Sequence, residues 1–182
     1  MNKYLKWSLI IVPSLALLLF IVFQGLMMYT KSHSPKETVS YNDGSTLISV
    51  TYSRPFKNSR EIYGGLVPFD KVWRTGANEC TIFTTSVDLT IDGKTLPAGK
   101  YSIFTIPGSN SWKVIWNKNE YDWGVTDRKG TSPRMPEADV VVVSMPPVFL
   151  SEVVEQFTIS VDQVKGLTLV WDQTEVSVPL GL

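Results

Sequence analysis

The chain has 182 residues, 43% of them hydrophobic, and its 17 Lys and Arg balance 17 Asp and Glu. A neutral chain offers little to neutralise phosphates, so no nucleic-acid partner is expected. The single cysteine, Cys80, excludes an intrachain disulfide, and the fold has to rest on its apolar core.

Residues 7–29 carry no charged side chain, and their length matches the roughly 20 residues needed to cross a bilayer as a helix. Pro13 and Gly25 are tolerated in such helices. A signal peptide is the competing reading, with Lys3 and Lys6 as its positive region. The apolar run is longer than the usual core of about 7–15 residues, and no clean small-x-small cleavage site follows, so an uncleaved anchor is expected. Residues 1–6 then form a short cytoplasmic N-terminus, 7–29 the transmembrane anchor in the lipid bilayer, 30–37 a polar tether, and 38–182 an extracytoplasmic β domain. Lys3 and Lys6 before the span, against Lys31, His33 and Lys36 after it, favour a cytoplasmic N-terminus modestly. The expected location is a single-pass cytoplasmic (inner) membrane protein with a periplasmic C-terminal domain. His33, the only histidine, is expected to be a solvated tether residue.

Residues 45–53 alternate, with Ile48, Val50 and Tyr52 on one side, which marks a strand with one buried face until Arg54-Pro55 ends it. A long connection follows, expected as a loop or one short helical turn around 59–63, with a stop at Gly64-Gly65. Ordered connections of this length are often functional. Residues 80–91 read as one alternating strand, closed by an Asp92-Gly93 hairpin turn. Strands are expected over 100–106 and 112–116, the latter with Trp112, Val114 and Trp116 on one face. Residues 121–137 have no periodicity, and Tyr121, Trp123 and Arg128 are placed to reach a cleft. The apolar run 138–145 predicts a strand buried on both faces or central in its sheet. Residues 153–162 alternate, and 167–171 with 175–180 are expected to close the domain as a pair. About eight short strands with Gly, Pro and Asp-Gly turns and almost no helix signal predict an all-β domain, an antiparallel β-sandwich or a flattened barrel.

No nucleophile elbow, zincin, P-loop or dinucleotide fingerprint occurs, and neither a cofactor nor a metal is expected. Cys80 has no domain histidine to act as its base and reads as a small core filler. The candidate site is polar and aromatic instead: Arg54, Arg60, Trp73, Arg74, Asn78, Glu79 and Trp123. An arginine fork matches a carboxylate or phosphate through two parallel hydrogen bonds, so two converging arginines would take a small anion, and exposed aromatics would stack on a sugar. The alternative is that Arg74 pairs with Glu79 or Asp70 and laces the loop to the sheet. Trp112, Trp116 and Trp171 follow strand periods and belong in the core, whereas Trp73 and Trp123 lie in irregular segments. A carboxylate-dependent hydrolase acting on glycans would need two acids roughly 5–9.5 Å apart, and no spacing selects a pair among Glu61, Glu79, Glu120 and Asp122.

The string Lys71-Val72-Trp73-Arg74-Thr75-Gly76-Ala77-Asn78-Glu79, followed by Thr81, resembles the bacterial family of uncharacterised proteins called DUF2911, common among Bacteroidetes. Tyr52, Arg54-Pro55, Arg60, Gly64 and Leu66-Val67-Pro68 are similar to its opening. Leu96-Pro97-Ala98-Gly99, Tyr101-Ser102, Thr105-Ile106-Pro107-Gly108, residues 112–117, Trp123-Gly124 and residues 167–179 carry the likeness onward. The resemblance spans roughly residues 39–180 and implies an exported domain without an established reaction. Cys80 stands where that family is expected to have Ala or another small residue. A membrane-anchored binding or envelope-associated module is the leading expectation, with the hydrolase or an accessory subunit of a membrane complex, held through the anchor, as alternatives. Gln24 and Gly25 in the apolar run would suit helix contacts with such a membrane-protein partner.

Overall fold

The computed structural model describes residues 3–127 and 130–182, and side chains from Trp7 onward; Arg128 lies outside the described residues. The chain divides into two units, Met1–His33 and Ser34–Leu182. The first is the helix α1 (Lys3–Ser32), in which Trp7–Ser32 has a mean hydropathy of 2.5. At 1.5 Å per residue it is about 45 Å long, enough to cross a bilayer as a membrane anchor or to serve as a signal sequence. The helix runs past residue 29 because its polar end satisfies its own carbonyls. Thr30 Oγ1 donates to the Leu26 carbonyl at 2.9 Å, and a His33 ring nitrogen lies 2.8 Å from the Tyr29 carbonyl oxygen. Only residues 33–35 therefore separate α1 from the first strand.

The second unit is all-β. Its strands are β1 (Lys36–Asn42), β2 (Leu47–Ser53), β3 (Thr81–Thr85), β4 (Leu89–Ile91), β5 (Lys94–Leu96), β6 (Gly99–Ile106), β7 (Trp112–Asn117), β8 (Asp139–Met145), β9 (Val148–Asp162) and β10 (Gly166–Val178). Six of them form an antiparallel sheet in the order β1-β2-β3-β6-β7-β8, while β9-β10 and β4-β5 are separate hairpins. The sheet does not close into a barrel, and the domain is sandwich-like. One continuous core joins Ile48, Val50, Phe83, Trp112 and Trp116 from the large sheet to Phe157, Ile159, Leu169 and Trp171 from the long hairpin, with Leu89, Ile91 and Leu96 from the short one. Alternation puts these side chains on one face of each strand.

Several expectations need correcting. Residues 80–91 are two strands, because Thr85 Oγ1 donates to the Val87 carbonyl at 2.7 Å and turns the chain from the large sheet into the β4-β5 hairpin. Residues 167–180 do not pair with each other: β10 is one 13-residue strand whose residues between Gly166 and Glu175 pair with β9, with register shifts around Asp172. Of the two forms open to residues 59–63, the structure has the loop and not the helical turn, with Asn58 and Ser59 at left-handed φ of 49° and 57°. β8 is an edge strand of the large sheet rather than a central one. Its apolar run has a reason all the same. Val141 and Val143 enter the main core, while Val142 packs with Cys80, Phe104 and Ile115 in a smaller cluster on the opposite face.

Candidate functional site

The connection between β2 and β3 carries the family-like string, and it folds onto the sheet through Trp73. The Trp73 N–H donates to Thr105 O at 2.7 Å, and the Thr105 N–H returns a bond to Trp73 O at 2.9 Å. Trp73 thus extends the edge of β6 beyond the end of β3. Its ring is held among aromatics, stacked on Trp171 at 6.0 Å and 17° and edge-on to Phe157 at 5.1 Å, and its indole N–H reaches Gly76 O at 3.0 Å. Trp73 is therefore packed against the core, and its ring does not line the open cleft described below.

From Thr75 to Asn78 the backbone is forced. Thr75 has φ 57°, Gly76 149° and Asn78 57°. A β-branched residue in the left-handed region is a true outlier, and such strain, costing about 1–3 kcal/mol per residue, persists only where the surroundings over-determine it. Here they do: Thr75 is fully buried, its hydroxyl donates to Thr105 Oγ1 at 3.2 Å, and Thr81 Oγ1 donates to Thr75 O at 2.6 Å. Gly76 has no alternative, since a Cβ there would sit 2.9 Å from Ser53 O.

This strained loop presents two hydrogen-bond donors with no acceptor. Arg74 Nε and Asn78 Nδ2 are both buried and unpartnered, and Asn78 is only 7% exposed. The third such atom, Trp116 Nε1, belongs to the main apolar core. Segment 123–124 crosses directly over the loop. The Gly124 N–H donates to Asn78 O at 3.0 Å, and a Cβ at Gly124 would overlap the Arg74 side chain. A shallow cleft of about 570 Å³ opens beside it, lined by Arg74, Trp123, Val125, Thr126, Asp127 and Gly130.

Among the described residues Arg74 is a cation without an ion-pair partner. Neither Asp70 nor Glu79 pairs with it, and no ion pair among the described residues includes it. Burial lowers its pKa, with Cys80 the one neighbouring charge to oppose that. Cys80, 4% exposed, cannot supply the charge: burial pushes its thiol up to about 11, against the pull of Arg74, so it stays protonated at neutral pH. Its Sγ points to the Trp123 carbonyl at 3.8 Å.

A chemical consequence follows for this thiol. Native protein at pH 8 is expected to react with iodoacetamide far more slowly than urea-unfolded protein, because the thiolate is the nucleophile. The raised pKa also sets a sign for stability. Below an unfolded pKa near 9 both states hold the proton and the contribution is full; as pH rises from about 9 towards 11 the unfolded chain ionises first and stability falls. Native-state alkylation as fast as that of unfolded chain at pH 8 would contradict the buried thiol.

The other candidates are placed elsewhere. Arg54 clamps β2 to β9 and β1: Nε donates to Phe157 O at 3.1 Å, one Nη to Thr158 Oγ1 at 2.9 Å, and the other pairs with Glu37 at 2.6 Å. Arg60 is exposed and bonds back to its own loop, to the carbonyls of Lys57 at 2.9 Å and of Phe56. Glu79 accepts from Ser53 Oγ at 3.2 Å. Trp123 is 38% exposed, and its ring makes neither an aromatic contact nor a hydrogen bond among the described residues. The structure thus brings Arg74 and Trp123 to one cleft, with Asn78 held beside them by its bond to Gly124, and adds Thr126 and Asp127; Tyr121, also expected to reach a cleft, instead donates its hydroxyl to Asn117 Oδ1 at 3.2 Å.

Comparison with curated proteins finds no match, and neither does comparison with solved structures. The model of a protein family described as "Protein of unknown function (DUF2911)" matches residues 34–180, which takes in every strand of the β domain, and the chain belongs to that family.

Proposed function

We propose that this protein is a membrane-tethered, extracytoplasmic binding module that takes the anionic group of a small ligand at Arg74 and Asn78. One observation carries the reading: two buried donors on one strained loop, one of them on a guanidinium, face no acceptor. Leaving a buried donor unmade costs about 1–3 kcal/mol, and more for a charged one, so an anion gains what the empty site lacks. The tether rests on α1, whose apolar run suits a span, and the orientation on Lys3 and Lys6 ahead of it.

A ligand that binds only the folded state raises its stability by mass action, by about 2.7 kcal/mol at a hundred times Kd. The melting temperature of the detergent-solubilised full chain is therefore expected to climb with millimolar sodium acetate or formate, relative to sodium chloride of equal ionic strength. Identical curves in acetate, formate, phosphate and chloride would sink the proposal.

A further inference from the structure

We infer that the ligand is an acidic sugar, a pyranose ring bearing a carboxylate, with the carboxylate on Arg74 and Asn78 and the ring against Trp123; this rests on the anion-binding reading above. Three features of the cleft converge on it. The donors are planar and few. Arg74 Nε lies in the guanidinium plane beside an Nη, and this edge matches the two oxygens of one carboxylate, with the Asn78 amide as a further donor. Phosphate is the competing anion, and the titration below separates it from a carboxylate.

The aromatic wall is the second feature. Trp112, Trp116 and Trp171 are at most 2% exposed and Trp73 is stacked in the core, whereas Trp123 keeps 38% of its surface open on the cleft. An indole in that position presents an apolar face to ring C–H groups and an N–H to a hydroxyl. The third feature is the rim. The Thr126 hydroxyl already donates, at 3.3 Å, to the Thr131 carbonyl, which leaves its lone pairs to accept from a ligand hydroxyl, while the Asp127 carboxylate beside it accepts from the Thr131 N–H at 3.1 Å and hydroxyl at 2.8 Å. A flat apolar ring would leave this rim unused, whereas a polyhydroxylated ring uses it. The cleft's size, about 570 Å³, falls within the range of small-molecule sites.

The test is calorimetric titration of the detergent-solubilised full chain, wild type and Trp123→Ala, with the methyl glycosides of glucuronate and galacturonate, methyl glucoside, acetate and inorganic phosphate. Trp123 is partly exposed and outside the core, so its truncation leaves the fold in place. The expected result is that at least one uronide binds wild type about tenfold or more tighter than acetate, and that Trp123→Ala erases this preference, so that it binds uronide and acetate alike. If neither uronide exceeds acetate, or if Trp123→Ala leaves the uronides as they were, the sugar is wrong and the anion site stands. Phosphate binding tighter than every carboxylate overturns the carboxylate assignment. If no anion binds, both readings fall, and a glucoside that binds as tightly as the uronides removes Arg74 from the account.

Discussion

Replacing Arg74 by Met is expected to abolish the acetate-dependent rise in melting temperature while leaving the unliganded domain at least as stable as wild type. A structural arginine would behave in the opposite way. Breaking a buried ion pair by removing one partner costs about 3–5 kcal/mol, because the other charge is left uncompensated. Arg74 has no such partner among the described residues, so its removal strands nothing and relieves a desolvated charge. Met preserves most of the packed stem beneath Gly124. The gain should be on the order of 1 kcal/mol, which for a domain of this size is roughly 2–4 °C in Tm. Stability given up at a site and recovered when the site is filled with an apolar group is the usual mark of function. A second readout separates this from a general packing effect: the positive charge holds the Cys80 pKa down, so the Met variant should ionise that thiol at a still higher pH. A loss of several degrees with the acetate response intact would make Arg74 a strut and return the loop to a structural role.

The sequence betrayed the core because burial leaves a period. Ile48, Val50 and Tyr52 alternate with Ser49 and Thr51, and Trp112 and Val114 flank Lys113; all five apolar side chains are fully or almost fully buried. What a strand pairs with leaves a much weaker trace. β1, KETVSYN, buries no residue fully, and its alternation brings only Glu37, Val39 and Tyr41 to half-burial, yet it is held by a seven-residue register with β2. β8 reads as central because the sheet has apolar residues on both faces near its far edge, and only pairing shows that it is last in order. Charged partners were least legible of all. Arg54 finds its acceptors 103 and 104 residues away on β9, a distance that no local pattern encodes. For Arg74 the nearby acids Asp70 and Glu79 made a local pair the simplest expectation. The left-handed turns at Thr75 and Asn78 produce a different outcome, and the string's Gly76 was its one visible sign.

Replacing Asp139 by Ala is expected to be the most destabilising of the substitutions considered, by about 3–5 kcal/mol, and to disturb the cleft from a distance. Asp139 opens β8 with its side chain only 10% exposed, and it accepts both arms of the Arg134 fork, the Nε bond being 3.1 Å. It also accepts from Asn117 Nδ2 at 2.8 Å. Asn117, wholly buried at the end of β7, accepts from the Tyr121 hydroxyl at 3.2 Å, and that hydroxyl accepts from the Met135 N–H at 3.0 Å. Both ends of the irregular segment between β7 and β8 are therefore tied to one carboxylate, and that segment carries Trp123 and Gly124 across Arg74. Alanine leaves a buried guanidinium without its acceptor and the Asn117 amide with only one of its two, the Met135 carbonyl at 2.8 Å. A double variant, Asp139→Ala with Arg134→Met, removes the stranded charge and should recover most of the loss, since a buried pair replaced by apolar groups is often neutral. Urea denaturation of the full chain in detergent measures both, and acetate binding gives the second readout: in Asp139→Ala alone, acetate affinity should fall although no ligand-facing group has changed. Equal destabilisation of the single and double variants would mean that the hydrogen bonds to Asn117, rather than the ion pair, hold the segment. An unchanged acetate affinity in Asp139→Ala would mean that the placement of Trp123 and Gly124 is set by their own bonds to the Arg74 loop, with the Gly124 to Asn78 hydrogen bond as the first of them to test.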